Sequence, residues 1–71
     1  MPLATVETGK NVRLIAINGG QEVKNRLFSL GLIPGARIEV LQNTSRGPFL
    51  LAVKGSRIML GRGMARKIVV E

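Results

Sequence analysis

The chain contains no cysteine, histidine, aspartate, tyrosine or tryptophan, and each absence removes a class of chemistry. Without cysteine no disulfide can hold a small fold together, and without cysteine or histidine an ordinary zinc site has no ligands. At 71 residues the chain is near the lower size limit for a fold that lacks such staples, so it has to close by packing. The four carboxylate side chains, Glu7, Glu22, Glu39 and Glu71, are scattered along the chain. Hard cations want several convergent carboxylates, and general acid–base catalysis wants a paired, tuned group. Ser56 and Lys54 sit either side of a glycine and read as turn residues rather than as a nucleophile and its base. Met59 and Met64 read as core or gap-filling residues rather than soft-metal ligands. The expectation is a protein that is no enzyme, with no metal ligands, no cofactor and no small-molecule substrate.

Aromatic side chains are almost as scarce: Phe28 and Phe49 are the only two, and both fit core positions. Grooves that carry single-stranded nucleic acid pair cations with aromatic stacking platforms, and grooves for proline-rich ligands are aromatic-lined. Long apolar runs are missing too. The longest candidates, Leu14-Ile15-Ala16-Ile17 and Phe49-Leu50-Leu51-Ala52-Val53, fall far short of the roughly 18 residues of a membrane span. The opening Met1-Pro2-Leu3-Ala4-Thr5-Val6-Glu7 lacks the cationic-then-apolar order of a secretion signal, so a cytoplasmic protein is expected.

What is present is positive charge. Eleven Lys and Arg against four Glu leave a net charge of +7, which favours acidic partners: nucleic acid, an anionic membrane surface or an acidic protein face. The densest basic run, Arg62-Gly63-Met64-Ala65-Arg66-Lys67, reads as a solvated turn. A small basic barrel that binds nucleic acid through Arg62, Arg66 and Lys67 is the alternative to a protein-binding module.

Glycine carries the architecture. Gly9-Lys10-Asn11-Val12-Arg13-Leu14, Gly35-Ala36-Arg37-Ile38-Glu39-Val40 and Gly55-Ser56-Arg57-Ile58-Met59-Leu60 share one pattern, a turn glycine followed by a strand with alternate aliphatic side chains. Phe49, Leu51 and Val53 alternate in a further strand, as do Ile68 and Val70, with Lys67, Val69 and Glu71 opposite. Turn residues Asn43 to Pro48 and Lys54 to Ser56 separate them. About five short strands predict a small barrel or sandwich. Ile15 and Ile17 have the opposite parity to Val12 and Leu14, which predicts a strand covered on both faces, by the helix on one of them.

That helix is expected over about residues 20–30. Val23, Leu27 and Leu30 form an apolar stripe that Phe28 widens, and Lys24, Asn25 and Arg26 face water. Asn18 is the expected cap, with Gln21 three residues on. The exit is sharper. Gly31 is placed for a left-handed conformation, Leu32 to fold back on Leu27, and Pro34-Gly35 to form a type II turn.

The order Gly-Gly, Arg26-Leu27, Leu30-Gly31-Leu32, Pro34-Gly35, strand, Gly47-Pro48, strand, Gly55, Leu60, Ala65 and Ile68-Val69-Val70 resembles the ferrous iron transport protein A family, FeoA, over nearly the whole chain. Arg-Leu-x-x-Leu-Gly-Leu-x-Pro-Gly, Arg26 to Gly35, is its specific part. The resemblance implies a mostly β fold: residues 1–71 as a single SH3-like β-barrel of about five strands with one inserted α-helix. It also implies a cytosolic accessory of ferrous iron uptake, acting on the FeoB-type permease that carries a GTP-binding domain and moves Fe²⁺ inward. Lys24, Arg26 and Arg37, around the helix and its exit, are the candidate partner-binding residues; a weak homo-oligomer is left open.

Overall fold

A computed structural model describes residues 1–71. A 3₁₀ turn at Leu3–Thr5 precedes strand β1 (Asn11–Ile17), helix α1 (Gln21–Ser29), strands β2 (Arg37–Asn43), β3 (Phe49–Val53) and β4 (Ser56–Leu60), helical turn α2 (Arg62–Ala65) and strand β5 (Ile68–Val70). The five strands form one sheet in the order β4-β3-β2-β1-β5, every pairing antiparallel. The mostly β architecture with one inserted helix is as expected, but the hydrogen-bonded sheet is open. β4 and β5 are its two ends, and α2 bridges the connection between them.

The concave face gathers the core. All 17 buried residues are apolar, and they form one cluster to which β1, β2, β3 and β5 each contribute alternate side chains. Phe49, Leu51 and Val53 point inward as the alternation requires, and so do Ile68 and Val70. In β1 the parity reverses for a different reason from the one expected. The register with β5 shifts between Leu14 and Ala16, and this bulge turns Ile17 back inward after Val12 and Leu14. Ile15, at 42% exposure, lies on the outer face, so the strand is not covered on both sides.

The helix is shorter and less buried than its stripe predicts. Leu27 alone is buried, Val23 packs on the core at partial burial, and Phe28 and Leu30 are 37% and 43% exposed. Only Phe49 of the two phenylalanines is a core residue. Gly20, not Asn18, is the N-cap, and no side chain bonds the first turn.

The helix exit follows the expected geometry atom by atom. Leu30 is the C-cap, and Gly31 follows with φ +90°. The Gly31 N–H donates to the Phe28 carbonyl (2.9 Å) and the Leu32 N–H to the Leu27 carbonyl (3.0 Å), the two bonds of a Schellman motif. Leu27 and Leu32 are both fully buried. Two residues on, the Ala36 N–H reaches the Ile33 carbonyl (3.0 Å) across Pro34 and Gly35, with Gly35 at φ +91° as a type II turn requires. The junction is then stitched to the bulged strand: Gly35 N–H to the Leu14 carbonyl (2.7 Å), and Leu14 N–H to the Ala36 carbonyl (2.8 Å).

A Cβ at position 31 would meet only Val53 Cγ1, at 3.8 Å, so there is room for it and the cost of a side chain there is backbone strain. Gly31→Ala is expected to destabilise by about 1 kcal/mol, lowering the melting midpoint by about 4–8 °C, and Gly31→Val by more. An unchanged midpoint for Gly31→Val would show that the left-handed cap does not bear on stability.

Candidate functional site

No buried polar or charged side chain exists, so whatever this protein recognises it recognises on its surface. No group of three or more His, Cys, Asp or Glu residues converges anywhere on the molecule. The best-formed depressions are two shallow clefts of about 240 Å³ and 130 Å³. Both fall below the roughly 300–1,000 Å³ of sites that engulf a small molecule, which leaves flat surfaces, clefts and sheet edges as the candidates.

The three residues expected to bind a partner are distributed over these surfaces. Arg26 lies in the last turn of α1, where a cation is favoured by the helix dipole, and it lines the smaller cleft with Glu22, Val23 and Met64. Lys24 is on the same helix but two residues away, on a different side, and is half-buried. Arg37 opens β2 on the outer face of the sheet, in the larger cleft with Asn11, Arg13 and Glu71. The structure therefore brings Arg26 and Arg37 into two clefts rather than one.

Around Arg37 the sheet register creates a local electrostatic arrangement that sequence order hides. Arg13 stands directly across from Arg37 on β1. Its own N–H and carbonyl bond Glu71 (3.0 Å each), so toward β2 it belongs to a non-hydrogen-bonded pair, in which side chains approach most closely. Two like charges in that register repel, and Glu71 on the far side of Arg13 offsets the repulsion in part. The cleft thus presents two guanidinium groups and one carboxylate to solvent.

The basic run Arg62 to Lys67 is not a uniform solvated turn. Arg62 starts α2, and its guanidinium Nη1 donates to Asn43 Oδ1 (2.9 Å) and to the Thr44 carbonyl, while the group lies 4.7 Å from the centroid of the Phe49 ring. Asn43 in turn donates through Nδ2 to the Val6 carbonyl (2.6 Å), and its N–H bonds Thr8 Oγ1 (3.0 Å). Arg62 therefore ties α2, the β2–β3 loop and, through Asn43, the N-terminal segment together over the end of the core. Arg66 and Lys67 remain exposed. Met64 packs against the core, as expected of a gap-filling residue, whereas Met59 is 69% exposed on the outer face of β4 and fills nothing. No sequence signal separated Arg62 from its cationic neighbours, because its partners are one amide at the end of β2 and carbonyls of the loop after it, 15 to 19 residues away.

An open five-stranded antiparallel sheet, coiled around one apolar core with a helix inserted after its first strand, defines a small SH3-type β domain. The same architecture is found in the crystal structure of a Stenotrophomonas maltophilia FeoA in complex with zinc, described as a prokaryotic SH3 domain protein. That likeness is one of fold: TM-score 0.86 at 20% identity, covering 100% of this chain and 89% of that one. Closer likenesses reach the family. The FeoA domain family model matches residues 1–71. A protein of Methanocaldococcus jannaschii provisionally named Fe(2+) transport protein A is 40% identical over 70 residues, covering 99% of this chain and 84% of that protein. The crystal structure of an iron uptake regulatory protein, FeoA, superposes with TM-score 0.96 at 35% identity, covering 100% of this chain and 95% of the other. The chain belongs to the FeoA family.

The role of Arg62 is separable from its charge. Arg62→Lys keeps the charge but loses the planar guanidinium that covers the Phe49 ring while its Nη1 donates to Asn43 and Thr44, and is expected to destabilise by about 1–2 kcal/mol in a chemical denaturation series. An unchanged midpoint for the lysine variant would mean that only a positive charge is needed there.

Proposed function

We propose that residues 1–71 act as a single FeoA domain in the cytoplasm, a non-enzymatic accessory of ferrous iron uptake that works by docking on a FeoB-type GTP-binding permease. The observation that carries this reading is the division of the molecule: an interior that is wholly apolar, and a cationic surface with no pocket large enough for a substrate. Its relatives' names supply the process. The M. jannaschii protein is named for Fe(2+) transport, and the FeoA of known crystal structure for regulation of iron uptake. No helix is long and apolar enough to cross a membrane, so a role in transport would be exercised on a partner that does cross it.

Lys24, Arg26 and Arg37 are the proposed contacts. Gly31 and Gly35 fix the chain between α1 and β2, so the cations on either side of the junction hold constant positions, and little ordering entropy is lost on binding. Cationic contacts of this kind act mainly on the association rate and on discrimination between partners.

Because Arg26 and Arg37 line different clefts, single charge reversals distinguish them. Arg26→Glu and Arg37→Glu are each expected to shift stability by no more than about 0.5 kcal/mol, both residues being exposed. Capture of the variants on a tagged permease, with retention on mixed-sequence RNA measured in parallel, is expected to fall for the contact residue on the permease alone. Undiminished permease capture by the Lys24, Arg26 and Arg37 triple glutamate variant would place docking elsewhere. Strong, salt-sensitive RNA retention that depends on Arg66 and Lys67 would favour the nucleic-acid alternative.

A further inference from the structure

The two ends of the open sheet are treated differently by the fold. At β5 the chain covers its own edge: Pro2 bridges Val69, the Val70 N–H donates to the Met1 carbonyl (2.7 Å), and the amino terminus of Met1 donates to the Val70 carbonyl (2.9 Å). At β4 nothing does this. The β3–β4 hairpin turns through Lys54 (φ 51°) and Gly55 (φ 81°), a two-residue turn whose flanking pair, Val53 and Ser56, is hydrogen-bonded. Alternation then directs the backbone groups of Ser56, Ile58 and Leu60 toward β3, and those of Arg57 and Met59 outward. No hydrogen bond from outside the ladder reaches residues 56–60.

An open edge of this kind is a template for another strand, and proteins blunt such edges with lysine, proline, bulges or a covering segment. β4 has no proline, and its pairing with β3 is continuous, without a bulge. Its central outward residue is Met59, the most exposed large apolar side chain of the molecule, which stands beside half-buried Leu50 on the outer face. The flanking charge is of one sign. Residues 40–70 carry six cations and no acid, and across the outer face the nearest carboxylate, Glu39, is separated from Arg57 by Ala52 of β3.

From these observations we infer that the free edge of β4 binds an extended acidic segment of a partner protein by strand addition. The segment's main chain pairs with the N–H and carbonyl groups of Arg57 and Met59. A carboxylate falls opposite Arg57, and aliphatic side chains fall opposite Ile58 and Met59. A second copy of this chain would bring +7 against +7 and set two cationic edges together, so the occupant is an acidic partner rather than another protomer. The inference rests on the docking reading for the identity of that partner, and on the edge geometry alone for the site.

A soluble peptide built on the repeat Glu-Val-Val, which sets Glu opposite Arg57 and Val opposite Ile58 and Met59, titrated into the full chain and followed by backbone amide resonances and hydrogen exchange, tests the site. The expected result is slowed exchange at Arg57 and Met59, and binding at least about tenfold weaker for a peptide with Lys in place of Glu. Met59→Pro removes one outward donor while leaving the β3 ladder intact, and is expected to abolish binding with an unchanged fold. Arg57→Glu, which alters no backbone group, is expected to weaken the Glu-Val-Val peptide and favour the Lys-Val-Val one. Unchanged exchange at Arg57 and Met59, or wild-type affinity in Met59→Pro, overturns the inference. Capture on the tagged permease separates the two claims. Peptide binding at the edge without permease capture upholds the edge site and sinks the docking reading. Permease capture with no response at β4 does the reverse.

Discussion

Ten residues, Leu27 to Ala36, hold the constraint on which the remainder of this fold depends. Within them the chain must leave a helix, reverse and enter a strand, and two glycines at φ near +90° make both changes of direction without a Cβ penalty. The Schellman bonds place Leu32 beside Leu27 in the core, and the type II turn delivers Ala36 to Leu14. Leu14 is where β1 bulges, so the junction is pinned to the one strand that also carries β5. A helix with a single buried residue could not hold its own position by packing. Its place on the sheet is set by its exit.

That arrangement accounts for an interior without polar atoms. A five-stranded sheet this small can wrap one layer of side chains, and each strand supplies inward residues of one type only. Polar chemistry is displaced to the rim, where the Asn43–Arg62 pair stands in for the staples that the sequence lacks. Asn43 satisfies the Val6 carbonyl, and Arg62 satisfies Asn43 and the Thr44 carbonyl while covering the face of Phe49. Each contact is modest, about 0.5–1 kcal/mol for a cation over a ring at an exposed site, but together they tie three segments to one another at one end of the core.

Local rules written into the sequence were recovered where the cause is local. Gly31, Pro34-Gly35 and Gly55 favour their backbone angles by their own chemistry, and the alternation of Phe49, Leu51 and Val53 needs nothing but a neighbour on one face. What escaped depends on pairing. The bulge at Leu14 and Ala16 exists only because β5 is there, and without it Ile15 and Ile17 read as a strand covered twice. Met59 alternates with inward Ile58 and Leu60, so its parity pointed outward although its apolar chemistry read as core, and β4 is an end strand whose outer face meets no second layer. Phe28 and Leu30 extend the helical stripe beyond the sheet they would have to touch. Arg62 looks like any other cation of its run until the loop at residues 43–47 is folded against it. Of the candidate contact residues, Arg37 could be placed on an outward strand position from parity alone, but its confrontation with Arg13 is a fact of register.

The charge is consequently better described by place than by total. The protein measures 28 × 24 × 19 Å, and charges in salt at about 0.1 M are screened over about 10 Å, so a partner approaching one face responds chiefly to that face. On β1, β2 and α1 the cations stand among Glu22, Glu39 and Glu71, and the field there is mixed: attraction needs a partner whose charges are positioned to match. The stretch from Val40 to Val70 offers cations only. On the proposed docking, an acidic segment of the partner would be drawn toward that stretch, and the mixed faces would then discriminate by position. Under that proposal steering and discrimination would fall to different parts of one 71-residue surface, which would let a protein with no buried polar group and only shallow clefts be selective.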